Sequence, residues 1–89
     1  MSEDNKKIKE QLHKDWDVKK TALTRTFKFN DFVHAMQFVN TVAAVSEEFN
    51  HHPIINVAYN IVKLELTTKD TNSVTIKDSV LATKIDTLV

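Results

Sequence analysis

The chain has 89 residues, 42% of them apolar and 27% charged, with twelve basic side chains against twelve acidic ones. That length suits one domain spanning residues 1–89, and the neutral balance supplies no net field to draw nucleic acid or an anionic membrane. Cysteine and glycine are both absent, which excludes disulfides, thiolate metal sites, a cysteine nucleophile and every glycine-rich phosphate loop. A monomer of this size buries only about 60–65% of its unfolded surface, so self-association would add stability. Without glycine, turns that need a positive φ fall to asparagine, and Asn30, Asn50, Asn60 and Asn72 stand where such turns are expected. The charged stretch "MSEDNKKIKEQLHKD" lacks the apolar core of a secretion signal, and no apolar run is long enough to span a bilayer. The expectation is a soluble, cytoplasmic protein.

Residues 3–13 are polar, with Ile8 and Leu12 four apart, and predict a short helix carrying a narrow apolar stripe. "WDVKK" predicts a short strand and "TALTRTFKF" a longer one, in which Leu23, Phe27 and Phe29 share a face that Arg25 interrupts. Asn30 is placed to cap the next helix. From residue 31 to about 49, Phe32, Ala35, Met36, Val39, Val42 and Ala43 form a helical stripe, widened by Phe38 and Val45. "INVAY" and "IVKLELTT" then read as strands joined by a Tyr59-Asn60 turn. In the second, Val62, Leu64 and Leu66 alternate with Lys63, Glu65 and Thr67, the mark of one buried and one wet face. After a polar loop at 69–74, Thr75 and Asp78 form a capping box for a last helix with Leu81, Ile85 and Leu88 on one side. The order α-β-β-α-β-β-α predicts an α+β fold, an antiparallel sheet with helices on one face.

The unusual segment is "EEFNHHPIINVAYN", where two adjacent histidines precede the single proline. Two readings fit it. In one, proline ends a helix and the histidines merely occupy the connection to a strand. In the other, the helix end and strand start hold two imidazoles at a pocket mouth, able to give and accept protons near neutral pH. Glu47, one helical turn earlier, could then orient one of them. Metal binding is not indicated: adjacent residues in an extended segment point to opposite sides, and His13 and His34 are distant in sequence. None of Ser2, Ser46, Ser73 and Ser79 stands in a nucleophile elbow.

The chain resembles the pterin-4a-carbinolamine dehydratases over nearly its whole length, from Trp16 through "LTRTFKFNDFVHAMQFVNTVA" to the last helix. That family's motif is an acidic residue, three residues, His-His-Pro, five residues, an aromatic, nine residues, a histidine, eight residues and an aspartate. Without a gap it aligns here with Glu47, His51, His52, Pro53, Tyr59, Lys69 and Asp78. The resemblance implies a four-stranded antiparallel sheet, dimers joined sheet edge to sheet edge, and often tetramers. It also implies a pterin substrate: the family removes water from 4a-hydroxytetrahydrobiopterin to give the quinonoid dihydropterin, in tetrahydrobiopterin recycling. By resemblance His51, His52 and Lys69 would be catalytic and Glu47, His52, Pro53, Tyr59 and Asp78 would bind substrate, with no cofactor and no metal.

Lys69 departs from the motif, which has its third histidine there. A free lysine, with a pKa of about 10.4, donates a proton at neutral pH but accepts one poorly. Asp78 has a second meaning as the capping residue of the last helix. The alternative implied by the departure is a non-catalytic member of the same fold, since some relatives act as dimerisation cofactors of a transcription factor and others as Rubisco assembly chaperones.

Overall fold

In the computed structural model, which describes residues 12–89, the sheet is built around its most apolar strand. Six elements follow in order: β1 (Asp17–Val18), β2 (Leu23–Lys28), α1 (Phe32–Phe49), β3 (Ile54–Ala58), β4 (Ile61–Leu66) and α2 (Ile76–Asp86). All strand pairs are antiparallel, in the spatial order β1-β2-β4-β3. The fold is α+β, as the sequence pattern predicts. The predicted first helix lies outside the described residues except for Leu12 and His13, and these two are not helical.

Registration explains which face is buried. Leu23 faces Leu66, Arg25 faces Leu64 and Phe27 faces Val62 across β2 and β4, while Ile55 faces Leu64 and Val57 faces Val62 across β3 and β4. Directly opposed residues share a face, so these side chains form the surface on which both helices pack. Val62, Leu64 and Leu66 are fully buried, together with Leu81, Ala82 and Ile85 of α2. The aromatic part of the core joins Phe38 of α1 to Phe27 and Phe29, with ring centroids 4.8 and 5.0 Å apart. The opposite face keeps Thr26, Lys28, Asn56 and Lys63 exposed.

Arg25, on the buried face, is accommodated because its guanidinium has an acid within reach. It donates to Asp86 Oδ1 at 2.7 Å and lies 4.5 Å over the Phe27 ring. The same oxygen accepts the Trp16 indole N–H at 2.8 Å. One carboxylate at the C-terminal end of α2 thus ties down both β2 and the segment before β1.

Three local expectations need correction. The cap of α1 is Asp31, not Asn30: its backbone is extended and its Oδ1 accepts the His34 N–H at 2.8 Å. The buried stripe of α1 runs through Ala35, Phe38, Val42, Val45 and Ser46, whereas Phe32 is 49% exposed and Ala43 is exposed. Eight apolar residues span too wide an arc to define the helix rotation, and packing against the sheet and α2 selects the contact line. Of the four asparagines only Asn50 and Asn72 take positive φ; the third such residue is Tyr59, at φ 55°. Asn60 is engaged instead in pairing with Phe29, accepting its N–H at 2.8 Å and donating its amide to its carbonyl at 2.9 Å. That leaves the left-handed position of the β3–β4 turn to the preceding residue.

Candidate active site

The chain reversal that presents the histidine pair is made by Asn50. At φ 50° and ψ 41° it turns α1 out of its helical path. Its N–H reaches the Glu47 carbonyl, and the His51 N–H reaches the Ser46 carbonyl at 3.0 Å. This pair of bonds is the Schellman closure, ordinarily made with glycine and made here with the side chain that best tolerates the left-handed region. His51, His52 and Pro53 therefore follow a rigid helix end and lead directly into β3.

Across from them, β4 ends at Leu66 and the chain continues through Thr67, Thr68 and Lys69. Thr68 pairs with Ser73, closing a tight loop whose left-handed residue is Asn72. The two segments and α2 bound a cleft of about 330 Å³. Asn50, His51 and His52 form one wall, residues 67–70 the other, and Lys77 of α2 completes it. That volume lies at the lower end of the usual range for small-molecule sites.

The two imidazoles are held differently. His51 is the inner one, its side chain only 13% exposed, and its Nε2 lies 2.5 Å from Oδ1 of the fully buried Asp78. The other Asp78 oxygen accepts the Thr68 hydroxyl and the Thr75 backbone N–H, both at 2.9 Å. Asp78 thus serves both meanings visible in the sequence: it reaches back to the start of its own helix and it fixes the histidine. A carboxylate surrounded by donors is an acceptor, so His51 Nε2–H donates to it, and Nδ1 is left as the nitrogen with no hydrogen-bond partner among the described residues. His52 is the outer one, more than half exposed, and its Nε2 pairs with the exposed carboxylate of Glu47.

His51, His52 and Lys69 line one cleft, with Asp78 packed behind His51 and Glu47 beside His52. Pro53 is partly buried next to this wall and directly precedes β3. Tyr59 stands elsewhere, 67% exposed at the far end of β3. Five strand residues at about 3.3 Å each separate it from Pro53, so within one chain it does not reach the cleft. Sequence reasoning missed Thr68, the buried hydroxyl that shares Asp78, and Lys77 in the cleft wall. Each directly precedes a motif position, but neighbours in sequence are not marked as neighbours of a ligand. Among the described residues, no three His, Asp or Glu side chains gather in a way that could hold a metal ion, and no helix is long and apolar enough to cross a membrane.

Comparison with known proteins places this geometry. The family model for pterin 4 alpha carbinolamine dehydratase matches residues 1–88. A protein of Sulfurisphaera tokodaii is 41% identical over 86 residues, covering 94% of this chain and 92% of its own, and carries the provisional name pterin-4-alpha-carbinolamine dehydratase. A protein of Chloroflexus aurantiacus with the same provisional name is 42% identical, with 92% of this chain and 90% of its own covered. Among solved structures, a transcriptional coactivator/pterin dehydratase from Brucella melitensis superposes with a TM-score of 0.90 at 33% identity, over 99% of this chain and 96% of that one. A pterin dehydratase-like protein identified as a RuBisCO assembly factor in the alpha-carboxysome superposes with a TM-score of 0.68 at 26% identity, over 82% and 84% of the two chains. By fold, by motif spacing and by the extent of these matches, the chain belongs to the pterin 4 alpha carbinolamine dehydratase family.

Proposed function

We propose that the protein is a cytoplasmic dehydratase of 4a-hydroxytetrahydrobiopterin-type carbinolamines, yielding the quinonoid dihydropterin. The observation that carries this reading is two imidazoles in one cleft, each with its own carboxylate: His51 with buried Asp78, His52 with Glu47. The reaction breaks the C4a–O bond. The hydroxyl takes up a proton and departs as water, while a ring N–H proton is surrendered and its electron pair forms the new C=N bond. One proton donor and one proton acceptor suffice, and neutral or protonated histidine supplies either near pH 7. His51, oriented through Nε2, has Nδ1 available to accept the ring proton. His52 and the Lys69 ammonium are the donors available to the departing hydroxyl. Lys69 fits the donating role and not the accepting one.

We also infer a homo-oligomer, a homodimer or a homotetramer. The outer edge of β3 pairs with no strand among the described residues, and it carries the exposed side chains of Ile54 and Val57. Unprotected apolar edges of this kind invite another strand. An antiparallel pairing of two β3 strands centred on Asn56 would set Tyr59 of one copy opposite Pro53 of the other, since each lies three residues from Asn56. Such a joint would bring the distant aromatic of the motif to the cleft of the neighbouring copy.

The departure at Lys69 favours one other reading, a dehydratase-like binding protein without turnover. Stopped-flow dehydration of synthetic carbinolamine, run beside equilibrium binding of a dihydropterin, separates the two. Turnover above the spontaneous rate supports the enzyme; pterin binding without turnover, or no binding at all, supports the other.

A further inference from the structure

The cleft wall contains no purely hydrocarbon side chain: every lining residue is polar or charged. Small-molecule sites are ordinarily mostly apolar with a few polar groups, so this lining selects a hydrated, charged part of a ligand. Most of its hydrogen-bonding capacity is already committed. The Thr67 hydroxyl donates to the Thr21 carbonyl at 2.6 Å, the Thr68 hydroxyl to Asp78, and His52 Nε2 pairs with Glu47. The charged groups left facing the cleft are Lys69, Lys77 and one acid, Asp70. Neither lysine is in an ion pair among the described residues, as holds for every described lysine but Lys19, and these two are the ones that line the cleft. The two ammonium groups come from different elements, one from the loop after β4 and one from α2. The N-terminus of α2 is not the attraction, because its first turn already carries an acid, Asp78, whose carboxylate accepts the N–H of the N-cap Thr75.

We propose that Lys69 and Lys77 form an anion subsite, and that the preferred ligand is a reduced pterin whose side chain bears a phosphate ester. The inference rests on the pterin reading above, narrows it from pterins in general to anionic ones, and makes Lys69 the charge contact, with His52 the donor to the departing hydroxyl. Two cations facing one small cleft with a single acid, Asp70, leave an excess of positive charge there. A phosphate bound there would neutralise that excess and accept charge-assisted hydrogen bonds from both ammonium groups.

The test compares dihydroneopterin, whose side chain is a neutral polyol, with dihydroneopterin monophosphate, by calorimetric titration of the full chain. Lys77→Met carries the test, because Lys69 also stands at the proposed acid–base position. Lys77→Arg is the conservative control, and thermal melts verify folding, which an exposed lysine on the first turn of α2 should not disturb. The expected result is that the phosphate ester binds at least about tenfold tighter than the neutral pterin at low salt. That advantage should fall to about twofold or less in Lys77→Met, survive in Lys77→Arg, and shrink as salt screens the exposed charges. Equal affinity for the two pterins overturns the inference and leaves the dehydratase reading intact, as does an advantage that persists in Lys77→Met. If neither pterin binds, inorganic phosphate decides. Phosphate binding that is lost in Lys77→Met keeps the anion subsite and removes the pterin, and absence of phosphate binding overturns both.

Discussion

Replacing Asp78 tests whether one buried carboxylate serves both fold and site. In Asp78→Ala three accepted hydrogen bonds disappear: those from His51 Nε2, Thr68 Oγ1 and the Thr75 N–H. The Thr68 hydroxyl retains a partner, since Thr75 Oγ1 lies 2.7 Å away. The His51 ring and the Thr75 N–H do not, and stranding a buried donor costs about 1–2 kcal/mol. The expected destabilisation is therefore roughly 2–4 kcal/mol, which for a domain of this size lowers Tm by on the order of 10–30 °C. Asp78→Asn separates the two duties. Its one oxygen can keep the Thr68 and Thr75 donors, leaving the amide NH₂ to face His51. Nε2 must then accept, and the ring proton moves to Nδ1, the nitrogen proposed to face the substrate. Stability should fall by less than about 1.5 kcal/mol, while dehydration slows by about 10²-fold or more, the usual worth of one acid–base group. Urea unfolding measures the first quantity, stopped-flow dehydration the second, and ¹⁵N-histidine NMR the tautomer. Wild-type turnover in Asp78→Asn, or unchanged stability in Asp78→Ala, would refute the reasoning.

His51→Ala should abolish dehydration, whereas His52→Ala, at the exposed outer position, should mainly weaken pterin binding; steady-state kinetics on both variants distinguishes a kcat from a KM effect. If turnover needs an imidazole at position 69, Lys69→His raises kcat, and a tenfold gain corresponds to about 1.4 kcal/mol of barrier. If Lys69 acts as donor or charge contact, Lys69→His is neutral or harmful and Lys69→Met is worse. The His34 backbone N–H and ring beside Asp31 hold its carboxyl below the ordinary value of 3.8. The stabilisation of the α1 cap is therefore complete above that value and lost as pH falls through the lower folded one. The stability difference between wild type and Asp31→Asn should be constant above that window and change only as pH falls through it, when the ionised cap's contribution is lost. Light scattering at micromolar concentration should show an oligomer, and Val57→Lys on the β3 edge should shift it toward monomer; a wild-type monomer contradicts the edge pairing.

The alternation Val62, Leu64, Leu66 identified β4 and its buried face, because a two-residue period has only one solution on a pleated strand. The pairing of Thr75 with Asp78 marked the start of α2 for a similar reason: a cap is a local structure, closed within four residues. Asn50 and Asn72 were legible as left-handed turns in a chain without glycine, and the motif spacing marked His51, His52 and Lys69 before any of them could be seen in one cleft. What sequence could not decide depends on contacts between distant segments. The rotation of α1 was open because its apolar arc is too wide, and only the sheet and α2 choose Ala35, Phe38 and Val42 over Phe32. The left-handed residue of the β3–β4 turn moved to Tyr59 because Asn60 is claimed by Phe29 from another strand. Asp78 became the inner support of His51, and Lys77 a cleft wall, only when α2 packed beside the end of α1. Periodicity and caps are written in neighbouring residues, whereas a site assembled from positions 47 to 78 exists only once burial of the core has brought those segments together.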